Sequence, residues 1–255
     1  MNNATTKNTF WLIIGALIGY HLIIHTVSTL KILFGFALII GIHELGHAIA
    51  AILVGVEVNR FSIGIGPGIS FKVPFLKKLI LSPFLIGGFV EIDEESTAQK
   101  SFWKKFFISI NGMVANVLLA ITLLVIGGAN FLKATLISLK IWLWGWPLTI
   151  QAFTSGQATV NDMSGPVGIS GMLTSNTYKY ITMLAILNLA VAMFNLLPLP
   201  PLDGGRILVH MVEKIFGAER ANKFNYVMTV VGTILLIVLM LFVTSNDLQK
   251  LFFKH

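Results

Sequence analysis

The run from Lys31 to Val56 constrains this chain more than any other feature. It is long and apolar enough to cross a bilayer, yet it carries His43-Glu44-Leu45-Gly46-His47 in its interior. Ionisable side chains are costly at that depth, and three of them in one short stretch mark a functional site. The spacing has a chemical meaning. Residues four apart share one face of a helix, so both imidazoles can reach a single metal ion, and the intervening Glu44 can reach a water beside it.

Composition extends the membrane reading to the whole chain. Of 255 residues, 55% are hydrophobic and 11% charged, with a mean hydropathy of +0.83. A soluble domain carries about a quarter charged residues. The expected fold is therefore an all-α polytopic membrane protein of about four to five transmembrane helices, with a small membrane-associated β-hairpin or sheet after the His43–His47 span. There is no cysteine, so disulfide and thiolate chemistry are excluded and any metal site must use histidine and carboxylate ligands. The net charge of +7 comes from Lys and Arg flanking apolar runs. That pattern suits anionic lipid and argues against nucleic acid as a partner.

Apolar runs predict spans at about 10–29, 32–55, 105–128, 180–197 and 226–245, the fourth being the least clear as a full crossing. The chain reads as one integral membrane domain, 1–255. Residues 1–30 add an N-terminal span with no small-residue cleavage site, and 31–130 hold the His43–His47 half with its β region. An interfacial segment follows at 131–165, and 166–255 complete the second half with the last span. Within Glu57–Lys105, Arg60–Gly68 and Pro83–Ile92 are rich in Gly, Pro and β-branched residues and read as short strands joined by turns. Leu132–Phe153 clusters Lys133, Lys140, Trp142, Trp144, Trp146 and Pro147, which suggests a helix lying at the interface. His21 and His25 are also four apart, but no acid stands between them, and they read as interfacial residues.

Loop charge predicts the orientation. With the N-terminus in the cytoplasm, the inner side holds Lys7, Arg60, Lys72, Lys77, Lys78, Lys100, Lys104, Lys105, Arg206, Lys214, Arg220 and Lys223. The outer side keeps Lys31, Lys133, Lys140, Lys179, Lys250 and Lys254, a two-to-one bias inward. The second span then runs inward, which puts His43–His47 in the cytoplasmic half of the bilayer.

Two imidazoles do not complete a catalytic zinc site, which takes three protein ligands and one open position. The candidate third ligand is Asp203, in Asn195-Leu196-Leu197-Pro198-Leu199-Pro200-Pro201-Leu202-Asp203-Gly204-Gly205-Arg206. The prolines break the preceding helix and the paired glycines let the chain turn back. Taken alone, this reads better as a proline-stopped helix followed by a turn aspartate. With His43 and His47 in a span, the need for a third ligand and the scarcity of intramembrane candidates turn the balance toward Asp203. Asp93, Glu94 and Glu95 are weaker rivals in an acidic loop.

These motifs together resemble the site-2 proteases, intramembrane zinc metalloproteases. His-Glu-Leu-Gly-His in a span is paired with Asn195–Gly205, and the β region of the family is matched by Arg60–Gly66 and Ile86–Ile92. Ser164-Gly165-Pro166-Val167-Gly168-Ile169 and the closing Gly232–Leu248 resemble the bacterial anti-sigma-factor-cleaving branch. The chain departs from that branch in four respects, one being an upstream Asn of the branch that is displaced here to Asn188. No PDZ domain fits within Leu132–Met163, Met113 replaces a proline in Asn111–Asn116, and Phe10–Leu30 is an additional span. No CBS domain is expected either.

The resemblance implies one Zn²⁺ per chain held by His43, His47 and Asp203, with Glu44 as general base. It implies substrate contacts at Asn195, at Asn116 and along Gly87-Gly88-Phe89-Val90, where an extended peptide could add as a strand. Implied substrates are single-span membrane proteins or leftover signal peptides in the lipid bilayer of the cell membrane. The alternative is a catalytically idle membrane scaffold or metal-binding regulator of the same fold.

Overall fold

A computed structural model describes residues 30–82, 84–159, 162–163 and 177–253. The predicted span at 10–29, His21, His25 and the segment Ser164–Ile169 lie outside the described residues.

Helix α1, Leu30–Leu53, carries the His43–His47 motif. Four strands follow: β1 (Val58–Ile65), β2 (Ile69–Val73), β3 (Leu76–Leu81) and β4 (Phe84–Ile92). Then come α2 (Glu94–Ala98), α3 (Phe102–Ile126), α4 (Phe131–Thr154), α5 (Thr177–Asn195), α6 (Asp203–Phe216) and α7 (Ala218–Phe253). The described residues are mostly helical with one small sheet, as the apolar runs and the Gly-, Pro- and β-branched-rich segment predict.

Three described helices are long and apolar enough to cross a membrane: α1, α3 and the stretch Ala218–Lys250 of α7. The apolar part of α5, Lys179–Asn195, is shorter, in line with its weak sequence signal. On α7, Val230, Ile234, Val238 and Leu241 are exposed, an apolar surface that suits lipid rather than water.

One core joins α1, α3, α4 and α5. Ile39 of α1 belongs to one buried cluster with Met113, Val117 and Ala120 of α3, Ala134 of α4, and Leu184, Ala185, Leu189 and Ala192 of α5. Small residues allow these helices to approach closely, as membrane packing requires. The predicted interfacial segment is the single helix α4, continuous through Pro147. Its Gly145 packs on Met193 of α5, and Trp146 Nε1 donates to the Met193 carbonyl at 2.8 Å.

The sheet has the order β2-β3-β1-β4, with β1 parallel to β3 and antiparallel to β4. Its β1 residues Val58 and Phe61 pack with Ala48, Ala50 and Ala51 of α1 and Ile108 of α3. The sheet thus sits at the C-terminal end of α1, and β4 is an edge strand facing the middle of that helix.

Candidate metal centre

His43 and His47 point from one face of α1 toward Asp203, the first residue of α6. Asp203 Oδ2 lies 2.8 Å from His43 Nε2 and 3.1 Å from His47 Nε2, and the two Nε2 atoms are 3.2 Å apart. All three side chains are buried, with residue exposures of 7%, 3% and 5%. Among the described residues this is the one cluster of His, Cys, Asp or Glu groups able to hold a metal ion.

The donor set fits zinc. Two imidazole nitrogens and a carboxylate oxygen are ordinary zinc ligands, and tetrahedral donors about 2.0–2.1 Å from the metal stand roughly 3.3 Å from one another. The three atoms of the cluster are close to that spacing. His47 is also set in the right tautomer. Its Nδ1 lies 2.8 Å from the Ile108 carbonyl of α3, which can only accept, so the proton sits on Nδ1 and Nε2 keeps its lone pair. The buried Nδ1 of His43 has no hydrogen-bond partner among the described residues.

Asp203 reaches the cluster because of what precedes and follows it. The peptide between Pro200 and Pro201 is cis, and the loop closes through Leu199 N–H to Leu197 O at 2.7 Å and Leu202 N–H to Leu199 O at 2.9 Å. Gly204 and Gly205 then let the first turn of α6 lie directly on that loop. A Cβ at Gly204 would strike the Leu196 and Leu197 carbonyls, and one at Gly205 would strike the Pro200 backbone. The opposite side of the loop is filled by α7, whose Gly232 meets the Pro200 carbonyl.

Helix α3 supports the cluster from behind. A Cβ at Gly112 would collide with His47 Nε2 and stand 2.9 Å from His43 Cε1, while one at Gly46 would collide with the Asn111 carbonyl. Neither Gly112 nor Ile108 stands out as a site residue in the sequence. The one available signal for Gly112 is the Asn111–Asn116 motif, and a backbone carbonyl such as that of Ile108 leaves no trace in side-chain patterns.

Glu44 projects toward the sheet. The backbone N–H of Val90 on β4 donates to Glu44 Oε2 at 3.0 Å. Val90 of β4 therefore lies beside Glu44, Gly88 packs against Ile40 of α1, and Phe89 between them is exposed. Asn195 and Asn116 are placed differently. Asn195 donates to the Val191 carbonyl of its own helix at 3.0 Å. Asn116 is fully buried one turn beyond Gly112, and among the described residues neither of its amide atoms has a hydrogen-bond partner. The rival acids fold elsewhere. Asp93 caps α2 by accepting from Ser96 N–H at 2.7 Å, and Glu94 and Glu95 form that helix's first turn.

Below the cluster, α6 is fastened to α3. Lys105 Nζ donates to Glu213 Oε1 at 2.7 Å, and Lys214 lies over the Phe102 and Trp103 rings at 4.9 and 5.7 Å. Burial and the nearby Lys105 ammonium hold His210 below the ordinary histidine range.

A model of peptidase family M50 matches residues 31–239. The chain is similar to zinc metalloprotease RasP of Geobacillus kaustophilus, 34% identical over 125 residues, covering 48% of this chain and 30% of that protein. It is also similar to zinc metalloprotease RasP of Bacillus licheniformis, 35% identical over 102 residues, covering 38% and 24%. The match thus spans about a quarter to a third of these relatives' length. Among solved structures, the site-2 protease from Methanocaldococcus jannaschii is similar at 23% identity, with a TM-score of 0.42 over 95% of this chain and 87% of that one. Because the family match runs through both motifs that meet at the buried cluster, this chain belongs to peptidase family M50.

Proposed function

We propose that the chain is an intramembrane zinc metalloprotease that hydrolyses peptide bonds within membrane segments of other proteins. The observation that carries this reading is the placement of Glu44 next to a buried His43–His47–Asp203 cluster. A scaffold or metal-binding regulator would have no use for a carboxylate there, since metal binding alone needs no base.

In this reading His43, His47 and Asp203 hold one Zn²⁺ per chain. When bound, zinc polarises the scissile carbonyl and lowers the pKa of a water at its open position. The rest is done by the chain. Glu44 accepts the water's proton on a carboxylate oxygen and later delivers it to the leaving amine. His47 is kept in its ligating tautomer by the Ile108 carbonyl, and Arg206, with Nη1 4.0 Å from Asp203 Oδ1, offsets the charge on the other carboxylate oxygen. Asn195 supplies an amide donor eight residues before Asp203, suited to substrate backbone or an oxyanion once it leaves the Val191 carbonyl.

A continuous substrate helix hides its carbonyls in hydrogen bonds, so the substrate must unwind at the cut. The Gly87–Phe89 stretch of β4 offers an edge for the extended segment. Single-span membrane proteins and leftover signal peptides have the right form. Loop charge supports a cytoplasmic N-terminus, with cleavage in the cytoplasmic half of the bilayer.

The test is reconstitution in liposomes with zinc and a designed single-span reporter helix carrying a Gly-Pro break. Cleavage by the wild type and none by Glu44→Gln supports the reading. A zinc-loaded wild type that leaves the reporter intact overturns it.

A further inference from the structure

We infer that the backbone N–H of Val90 is a positioning group for Glu44, so that the sheet aims the catalytic base as well as flanking the substrate. This inference rests on the protease reading. Among the described residues the Glu44 carboxylate accepts one hydrogen bond, the 3.0 Å bond from Val90. In a half-buried site a side chain with one fixed hydrogen bond is held to one orientation, and here the fixed partner is a backbone group of the sheet. The bond engages Oε2 and leaves Oε1 free to take a proton.

The donor is available for a topological reason. Val90 stands opposite Phe61 of β1, but β4 is the sheet edge, and an N–H given to Glu44 points away from β1. The contact with α1 is in register. Gly88 faces Ile40, where an added Cβ would stand 3.4 Å from Ile40 Cγ2, and Val90 faces Glu44. Two residues along a strand advance about 6.6 Å. Four residues along a helix advance about 6 Å. Strand and helix therefore stay in step over both contacts. The absence of a side chain at Gly88 matters on the β1 side as well, since a Cβ there would stand 2.7 Å from the Ser62 carbonyl.

An N–H engaged in this way cannot also pair with an added strand. A substrate extended along β4 must take its main-chain bonds on either side of Val90. The carboxylate then lies against the substrate backbone at the position the ladder skips, which is where the scissile bond has to be.

The inference is tested by replacing Val90 with the α-hydroxy acid of valine, which keeps the side chain and deletes the N–H. Zinc content and cleavage of the Gly-Pro reporter are measured in liposomes. The expected result is a roughly ten- to hundredfold fall in kcat, the scale of a hydrogen bond to a charged group, with KM and bound zinc unchanged. In a Glu44→Gln background the ester should leave reporter binding unaltered. Gly88→Ala, which displaces β4 without deleting the donor, should also lower kcat while zinc stays bound.

An ester chain with wild-type kcat overturns the inference alone. So does a rise in KM, or weaker reporter binding in the Glu44→Gln background, because either would assign the N–H to the substrate. Loss of zinc would assign it to the integrity of the centre and equally overturn the inference. A zinc-loaded wild type with no turnover would overturn the protease reading together with the inference.

Discussion

His47 Nδ1 and the Ile108 carbonyl are joined by a 2.8 Å hydrogen bond across the contact between α1 and α3, and this bond decides which imidazole nitrogen faces the cluster. Support of a metal ligand by the neighbouring helix has a direct consequence for metal retention. His43→Ala or His47→Ala should abolish stoichiometric zinc, and X-ray absorption of the wild type should show ligands at about 2.0–2.2 Å. Gly112→Ala should also deplete the metal, although it removes no ligand, because the new methyl group would strike both rings. Full zinc occupancy in Gly112→Ala would mean that α3 can withdraw from α1 without cost.

The base is separable from the ligands. Glu44→Gln should keep the zinc and bind the reporter helix, yet lose cleavage, since an amide cannot accept the water's proton. Turnover comparable to wild type in a purified assay would move the role to another group.

The ion pair between Lys105 and Glu213 should show the asymmetry of buried charges. The Lys105 side chain is 7% exposed and that of Glu213 29%. Lys105→Met alone should destabilise the fold by about 1–3 kcal/mol, because it leaves a half-buried carboxylate without its ammonium partner and with His210 alone beside it at 3.6 Å. Lys105→Met with Glu213→Leu should recover most of that loss. Thermal unfolding in detergent compares them, and a double variant as unstable as the single one would show that the pair does more than neutralise charge.

How far the sequence reaches is clearest at the centre itself. His43 and His47 are legible because their spacing encodes a helix face, and Asp203 because proline and glycine mark where the chain must turn back. The sheet was legible as strands and turns, but its order was not. Nothing local in Val58–Ile65 indicates that β1 will lie between β3 and β4, because that depends on how the sheet meets α1 and α3. Val90 illustrates the same limit. The pattern suggests an edge strand open to substrate, whereas its N–H is engaged by Glu44, forty-six positions away. Val90→Pro should therefore still impair cleavage with zinc retained, but chiefly by releasing the base. Unchanged reporter cleavage would remove β4 from the mechanism at that position.

Topology links the charge pattern to the chemistry. The chain has no cysteine, so single cysteines can be placed and labelled without background. Lys77→Cys, on strand β3, should react with a membrane-impermeant thiol reagent only from the cytoplasmic side if the proposed orientation, argued from the bias of Lys and Arg, holds. The sheet follows the C-terminal end of α1, and His43 and His47 lie in the second half of that helix, so the centre is nearer the sheet's face of the membrane. Cleavage of a spanning reporter should then fall in its cytoplasmic half. Moving the Gly-Pro break into that half should speed the reaction, because a break lowers the cost of exposing a carbonyl, while the same break in the outer half should do little. Labelling of residue 77 exclusively from the outside would reverse both the orientation and the predicted position of the cut.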